Sequence, residues 1–179
     1  LGGKYIAYTE EKPITMNPFN INKEELNIEK IDFLKNLILM IWKGTDDKIS
    51  ELEFRIVEQI VTEYYDVYFN GFDCYAPSRR DNIRSTLTAA EKRKDASRDA
   101  QELNHLVSRK IADLEARRKA LKVDALSFNS FYEYSTEALE IICVESNIAD
   151  IDYDKYRFML QPFYKGGNYD KILNQSVDS

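Results

Sequence analysis

Residues 28–44 read IEKIDFLKNLILMIWKG and have the clearest helical pattern in the chain. Its apolar residues recur every three or four positions, the period of an amphipathic α-helix: Ile28, Ile31, Leu34, Ile38, Ile41 and Trp42. Gly44 follows, and glycine readily adopts the left-handed conformation that ends many helices. The sequence therefore predicts a first helix that buries one face and ends at about residue 43.

Helix breakers are nearly absent from the middle of the chain. No glycine occurs between Gly71 and Gly166, and no proline occurs between Pro77 and Pro162. Such a gap favours long helices. Apolar residues at helical spacing predict four further helical regions, over about 49–70, 80–122, 127–147 and 153–163.

Polar residues at the starts of two of these regions are candidate N-caps. Asp46 or Asp47 would cap the second helix, and Ser127 or Asn129 would cap the fourth. The centre of the third region, 91–99, has almost no apolar residue to bury. That pattern fits either one projecting helical arm with a solvated centre or two helices that meet there.

The fold class follows from these elements. Residues 4–9 alternate and are rich in tyrosine, which predicts a short strand. We expect a mainly α fold: an irregular bundle of about five helices with a long basic helical arm and short strand remnants at the termini. The apolar stripes of the first, second and fourth helices should form one core, made of Leu34, Ile38, Trp42, Ile56, Ile60, Phe131, Ala138 and Ile142.

Charge is distributed unevenly along the chain. The segment 78–123 has 13 Lys and Arg against 7 Asp and Glu, a net charge of +6 in a chain of net −6, so the rest carries −12. This basic arm, over about 80–122, is a candidate site for phosphates or an acidic protein surface. A solvated helix face with internal Glu–Lys pairs is the alternative. The candidate residues are Arg79, Arg80, Arg84, Lys92, Arg93, Lys94, Arg117, Arg118 and Lys119.

A run of aromatic residues precedes the basic arm. Such a run stacks nucleic-acid bases in some proteins, but packing at a helix end is the commoner use and the one that we favour here. The run consists of Tyr64, Tyr65, Tyr68, Phe69, Phe72 and Tyr75.

Motifs of catalysis and cofactor binding are missing from the sequence. The chain has one histidine, His105, and no GxxxxGK[ST] phosphate-binding loop. An acidic triplet starting at Asp150 imitates a calcium loop but has Lys155 where that loop needs glycine. Cys74 and Cys143 match no metal spacing and indicate a reducing compartment. We therefore expect no catalytic residue, cofactor or metal in this chain.

No segment of the sequence is a candidate for insertion into a membrane. The longest uninterrupted apolar run, 37–42, is far shorter than the roughly 20 residues that a membrane-spanning helix needs. We expect a cytoplasmic chain without direct membrane insertion.

Four stretches resemble one known family. They are 5–19 (YIAYTEEKPITMNPF), 37–43 (LILMIWK), 127–134 (SFNSFYEY) and 166–174 (GGNYDKILN). They are similar to the conjugative-transposon TraG family, the VirB-type ATPases that energise type IV secretion during conjugation. The resemblance covers most of the chain and is weakest over about 83–123.

The resemblance implies a domain organisation. In that family a RecA-like motor binds the nucleotide, and a helical domain is inserted before the strand that bears the Walker B acid. Residues 1–20 would then be a tag scar and the edge of the motor, 21–165 the helical domain, and 166–179 the start of the return to the motor. The chain would be an excised fragment, and its ends would meet, with 4–9 close to Tyr169.

The resemblance also implies partners and location. The parent protein would hydrolyse ATP with Mg²⁺, outside this chain, at the cytoplasmic face of the inner membrane. Other type IV secretion subunits, DNA and further copies of the parent are the candidate partners.

Two functions follow from these observations. The first is a non-catalytic all-α domain of a conjugation ATPase, which couples the motor to DNA transfer or to secretion-channel partners. The second is a free-standing helical adaptor that binds nucleic acid or an acidic protein through the basic arm.

Overall fold

A computed structural model of the chain describes residues 16–45, 47–71 and 75–174. Over these ranges the chain forms six α-helices, two short 3₁₀ helices and no strand, which confirms the mainly α prediction. The predicted strand over 4–9 lies outside the described residues. The α-helices are α1 (Ile28–Lys43), α2 (Glu51–Asn70), α3 (Pro77–Lys94), α4 (Ala100–Ala120), α5 (Phe128–Glu145) and α6 (Tyr153–Leu160), and the 3₁₀ helices are Lys23–Glu25 and Gln161–Phe163.

Local sequence signals explain most helix ends. α1 ends at Gly44, whose φ of 72° requires the freedom of glycine. α5 begins at Ser127, one of its two predicted caps, whose hydroxyl accepts a hydrogen bond from the Ser130 amide. Asp47, one of the two residues predicted to cap α2, does not cap it, because its carboxylate accepts a hydrogen bond from Lys155. Asp46, the other, lies outside the described residues. Ser50 caps α2 instead. Its hydroxyl accepts a hydrogen bond from the Glu53 amide, and the Glu53 carboxylate accepts one from the Ser50 amide.

The third predicted helical region is two helices that meet, the second of the two arrangements that the sequence allowed. α3 and α4 are joined by a turn over 95–99. In that turn the Asp95 carboxylate accepts from the amide and hydroxyl of Ser97. Asp99 then caps α4 by accepting from the Glu102 amide. Polar side chains that bind the local backbone therefore end one helix and start the next.

α1, α2, α5 and α6 form the body of the molecule. α1 packs on α2 and α6, and α5 packs on the same two helices from the other side. All eight residues of the predicted core are buried in one cluster there. Aromatic contacts dominate its centre, where Phe19 stacks on Phe131 with ring centroids 4.9 Å apart, and Trp42 meets Tyr156 edge-on at 5.2 Å.

α3 and α4 form an antiparallel hairpin with a second, smaller core. Most of its buried apolar residues come from the two helices; Tyr75, two residues before α3, and Ile141 of α5 complete it. The hairpin therefore rests on α5 near its base. The residues of this core are Tyr75, Ile83, Leu87, Leu103, Val107, Ile111, Leu114 and Ile141.

The two ends of the described chain lie side by side. The backbone amide of Met16 donates to the carbonyl of Ile172 at 2.7 Å. Nearby, the Asn129 amide donates to the side chain of Asn174 at 2.7 Å. The sequence predicted that residues 4–9 lie close to Tyr169, and residues 4–9 are outside the described residues. Within the described ranges, the chain enters and leaves its folded part at one place.

No helix in the described ranges is long and apolar enough to cross a membrane.

Truncating a core residue should destabilise the chain strongly. Leu34 and Ile60 are no more than 1% exposed, so Leu34→Ala and Ile60→Ala should each lower the free energy of unfolding by about 2–5 kcal/mol. Urea denaturation followed by circular dichroism measures the change. Phe33→Ala is the matched control, because Phe33 is 52% exposed on the same helix and its truncation should cost less than about 1 kcal/mol. A comparable loss in all three variants would contradict this description of the core.

Candidate functional site

The base of the hairpin is held to the body by a buried ion network. Arg118 of α4 donates from Nη1 to Glu63 of α2 and from Nη2 to Glu145 of α5, both at 2.6 Å. The side chains of these three residues are at most 5% exposed. Tyr75 donates to Glu145 at 3.1 Å, and Arg79 pairs with Glu63 at 2.9 Å.

The network keeps its charges although it is buried. Burial alone would lower the pKa of Arg118, but the two carboxylates outweigh it, and the pKa lies above its ordinary value. Burial would likewise raise the pKa of Glu63, and Arg118 and Arg79 reverse the shift. Arg118 and Glu63 are therefore charged at neutral pH, and the hydrogen bonds of Arg118 link α2, α4 and α5.

Arg118 is thus not part of an accessible surface, although the sequence made it a candidate for binding an anionic partner. It is 7% exposed, and both of its terminal nitrogens are taken by carboxylates. The signal was present in the sequence. Arg118 lies four residues after Leu114 and three before Leu121, on the stripe that faces inward.

Other candidate cations near the base also bind within the chain. Arg117 pairs with Glu137 at 2.7 Å and with Glu140 at 3.1 Å, both on α5. Arg80 pairs with Glu115 across the hairpin at 2.7 Å, and Lys119 is 3.4 Å from the same carboxylate. These contacts are the internal pairs that the sequence allowed as an alternative, although several of them join the hairpin to the body.

Arg84, a further candidate, lies partway along α3. It donates to the neutral side chains of Asn104 and Ser108 on α4, at 3.2 and 3.1 Å. Its charge therefore has no carboxylate partner among the described residues.

The uneven charge of the sequence is partly an internal interaction. Four glutamates of the body, Glu63, Glu137, Glu140 and Glu145, bind arginines of the hairpin base. They offset four of the six excess positive charges counted over 78–123. The acidic body and the basic hairpin are therefore complementary surfaces of one chain.

The tip of the hairpin carries the remaining candidate cations, Lys92, Arg93 and Lys94. Glu91 is only 3% exposed and accepts from Lys110, from Arg98 at 2.9 Å and from Lys94 at 3.5 Å. Its hydrogen bond with Lys110 is the main reason that its pKa falls to about 2. Three cations surround one carboxylate, which leaves the cluster positive.

Lys92 and Arg93 are exposed beside this cluster, and neither forms an ion pair with another described residue. Sequence reasoning identified Lys92, Arg93 and Lys94 but missed Glu91, Arg98 and Lys110, which order the tip. The spacing of Glu91, four residues after the buried Leu87, was the available signal. Lys92 and Arg93 are the residues best placed to meet an anion, and their role in binding stays a prediction.

Most of the described aromatic run before the hairpin serves packing, as favoured from the sequence, whereas Tyr68 is 39% exposed. Tyr64 and Tyr65 are fully buried, and Tyr64 meets Phe131 edge-on at 5.2 Å. Tyr65 donates to the carbonyl of Phe19 at 2.9 Å. Burial raises the pKa of Tyr64 to about 12, so its hydroxyl stays protonated. Tyr75 is buried in the hairpin core, and Phe72 lies outside the described residues.

Comparison with known families identifies the chain. A family model described as the TraG P-loop domain matches residues 1–75 and 66–178. The chain belongs to this family. Comparisons with curated proteins and with solved structures gave no match. The assignment confirms the resemblance seen in the sequence and gives the TraG-family chain the context of a conjugation-related ATPase.

Removing the arginine at the centre of the network should destabilise the TraG-family chain more than removing its neighbour. Arg118→Met leaves two buried carboxylates without their main counter-charge and should lower the free energy of unfolding by about 3–5 kcal/mol. Arg117→Met, whose pairs are part-exposed, should cost at most about 1 kcal/mol. Urea denaturation at pH 7 compares the two. Equal losses would show that the Arg118 network does not hold the hairpin.

Proposed function

We propose that this chain is the non-catalytic helical part of a conjugation ATPase, inserted into its P-loop domain, and that it couples the motor to DNA transfer or to secretion-channel partners. The observation that carries the proposal is the hydrogen bond between Met16 and Ile172. A domain inserted into a host must leave and re-enter it at one place. The family match, which is to a P-loop domain, supports such a host.

The catalytic groups of the parent would lie outside this chain. ATP binding in P-loop proteins uses a glycine-rich loop, with its lysine at the phosphates and its Ser or Thr on Mg²⁺, and the sequence contains no GxxxxGK[ST]. In this proposal ATP and Mg²⁺ bind elsewhere in the parent, which works at the cytoplasmic face of the inner membrane, as a homo-oligomer and together with other secretion subunits.

The hairpin is the element through which coupling is proposed. Its base is tied to α2 and α5 by a buried ion network, so a displacement of the body carries the hairpin with it. Its tip presents Lys92 and Arg93, which suit an anionic partner such as single-stranded DNA. Phosphate contacts of this kind would not distinguish sequences.

A free-standing adaptor is the second candidate function, favoured by the same exposed cations at the tip. It would use the hairpin in the same way but without a motor. The parent reading frame distinguishes the two, because a GxxxxGK[ST] motif upstream supports the ATPase and a start codon close to Leu1 supports the adaptor.

Removing the helical part from the parent should separate ATP hydrolysis from transfer. Replacing residues 17–171 by a short Gly-Ser linker should keep ATP hydrolysis, since the replaced ends are adjacent, and abolish conjugative transfer. Colorimetric phosphate release and mating frequency measure the two activities, and a P-loop lysine variant that loses both is the control.

Two results would contradict this proposal. One is loss of ATP hydrolysis by a replaced variant that remains folded and assembled. The other is micromolar binding of Mg-ATP by the isolated chain in a calorimetric titration.

Reversing the charge at the hairpin tip should weaken DNA binding. We expect the isolated chain to bind a single-stranded oligonucleotide at low salt, with an affinity that drops steeply between about 50 and 200 mM salt. Lys92→Glu with Arg93→Glu should abolish this binding without changing thermal stability. Lys30→Glu with Lys48→Glu makes the same change of charge on the body and should have a smaller effect.

Fluorescence anisotropy gives the affinities. No binding by the wild type at low salt would eliminate DNA and leave an acidic protein as the partner. Equal losses in the two double variants would show that net charge, rather than the tip, determines binding.

A further inference from the structure

An apolar patch surrounds the two ends of the described chain. It consists of five residues, which we call the attachment patch: Met16, Phe158, Met159, Pro162 and Tyr169. Phe158 is 74% exposed, Tyr169 51% and Met16 47%.

Backbone and groove contacts connect these residues into one surface. Phe158, Met159 and Pro162 line a shallow groove with Gly167 and Asn168. The Tyr169 amide donates to the Pro162 carbonyl at 2.8 Å. Three residues later, Ile172 accepts from Met16.

The groove is held in shape by a close backbone approach. A Cβ atom on Gly167 would lie 2.4 Å from the carbonyl oxygen of Pro162 and 2.7 Å from that of Gln161. Only glycine therefore lets the turn after α6 lie so close to the 3₁₀ helix Gln161–Phe163. The centroid of the Tyr169 ring lies 5.5 Å from that of Phe163, the last residue of this 3₁₀ helix.

Exposed apolar side chains in a cluster mark a surface that another element covers. Phe158 is the second most exposed of the large apolar side chains in the described ranges, after Ile28. Within the helix α6 it lies opposite Tyr156 and Leu160, which face the core. Nothing in the described part of the chain packs over it.

We infer that the attachment patch is the surface on which the parent's P-loop domain packs. The chain passes out of the described ranges at Met16, a patch residue, and at Asn174, whose side-chain amide donates to the carbonyl of Phe163, the residue after Pro162. The match to the P-loop family continues through residues 1–15 on one side and to residue 178 on the other. The flanking part of that domain is therefore tethered beside the patch at two points. This inference rests on the proposed function.

Accessibility of a cysteine placed in the patch tests the inference. Phe158→Cys should react quickly with a maleimide in the isolated chain and at least about tenfold more slowly in the full-length parent, because the P-loop domain covers it. Tyr169→Cys repeats the measurement at a second position of the patch. Leu52→Cys is the control, since Leu52 is 39% exposed at the start of α2 and outside the patch, and it should react equally in both proteins.

The chain also contains Cys74, so every protein in the comparison carries Cys74→Ser. The chain with Cys74→Ser alone gives the background rate from Cys143, which is buried. Circular dichroism of each variant excludes misfolding as the source of reactivity.

Three results would overturn the inference. Equal reactivity of Phe158→Cys in the chain and in the parent would show an uncovered patch. Equal protection of Leu52→Cys would show general burial of the domain. A dimer of the isolated chain in sedimentation, converted to a monomer by Phe158→Ser, would assign the patch to a second copy. A parent without a P-loop domain would instead refute the proposed function, so the two failures are distinguishable.

Discussion

A buried guanidinium determines how the two parts of this molecule fit together. Arg118 lies among side chains that exclude water, and a charge in such a place is tolerated only when opposite charges and hydrogen bonds replace its hydration. Glu63 and Glu145 supply both, and they come from α2 and α5. We infer that these two bonds, both at 2.6 Å, restrict the angle of the hairpin on α5 more than apolar packing alone would.

The same contacts divide the hairpin into two functional regions. Arginines at the base bind glutamates of the body, so their positive charge is largely offset and attracts a distant ligand only weakly. Cations at the tip surround Glu91 or face water, so their charge extends outward. The net charge of a segment therefore says little about its field until the partners of each charge are known. In this TraG-family chain, we propose the tip as the part of the arm that meets an anionic partner, because Lys92 and Arg93 are exposed there.

Much of the fold was predictable because apolar spacing is a local property. The stripe through Leu34, Ile38 and Trp42 predicted both the first helix and its buried face. The cap of α2 was not predicted, because Asp46, Asp47 and Ser50 are all residue types that cap helices. Choosing among them requires knowing that the helix starts at Glu51. The pairs of Arg118 were not predictable either, since Glu63 is 55 residues away in sequence. The burial of Arg118 could have been predicted from its position on the inward-facing stripe with Leu114 and Leu121. Its charge alone led to the prediction of an exposed side chain.

The position of Phe19 has a consequence for how the protein is made. Phe19 stacks on Phe131, and the backbone amide of Met16, three residues earlier, donates a hydrogen bond to the carbonyl of Ile172. A ribosome adds about 5–20 residues per second, so the interval between these two ends of the chain is roughly 8 to 30 s. Until α5 and α6 have been made, the apolar faces of α2 and α1 that pack on them stay uncovered. A pause in translation before α5 would therefore lengthen the time during which these apolar faces are exposed.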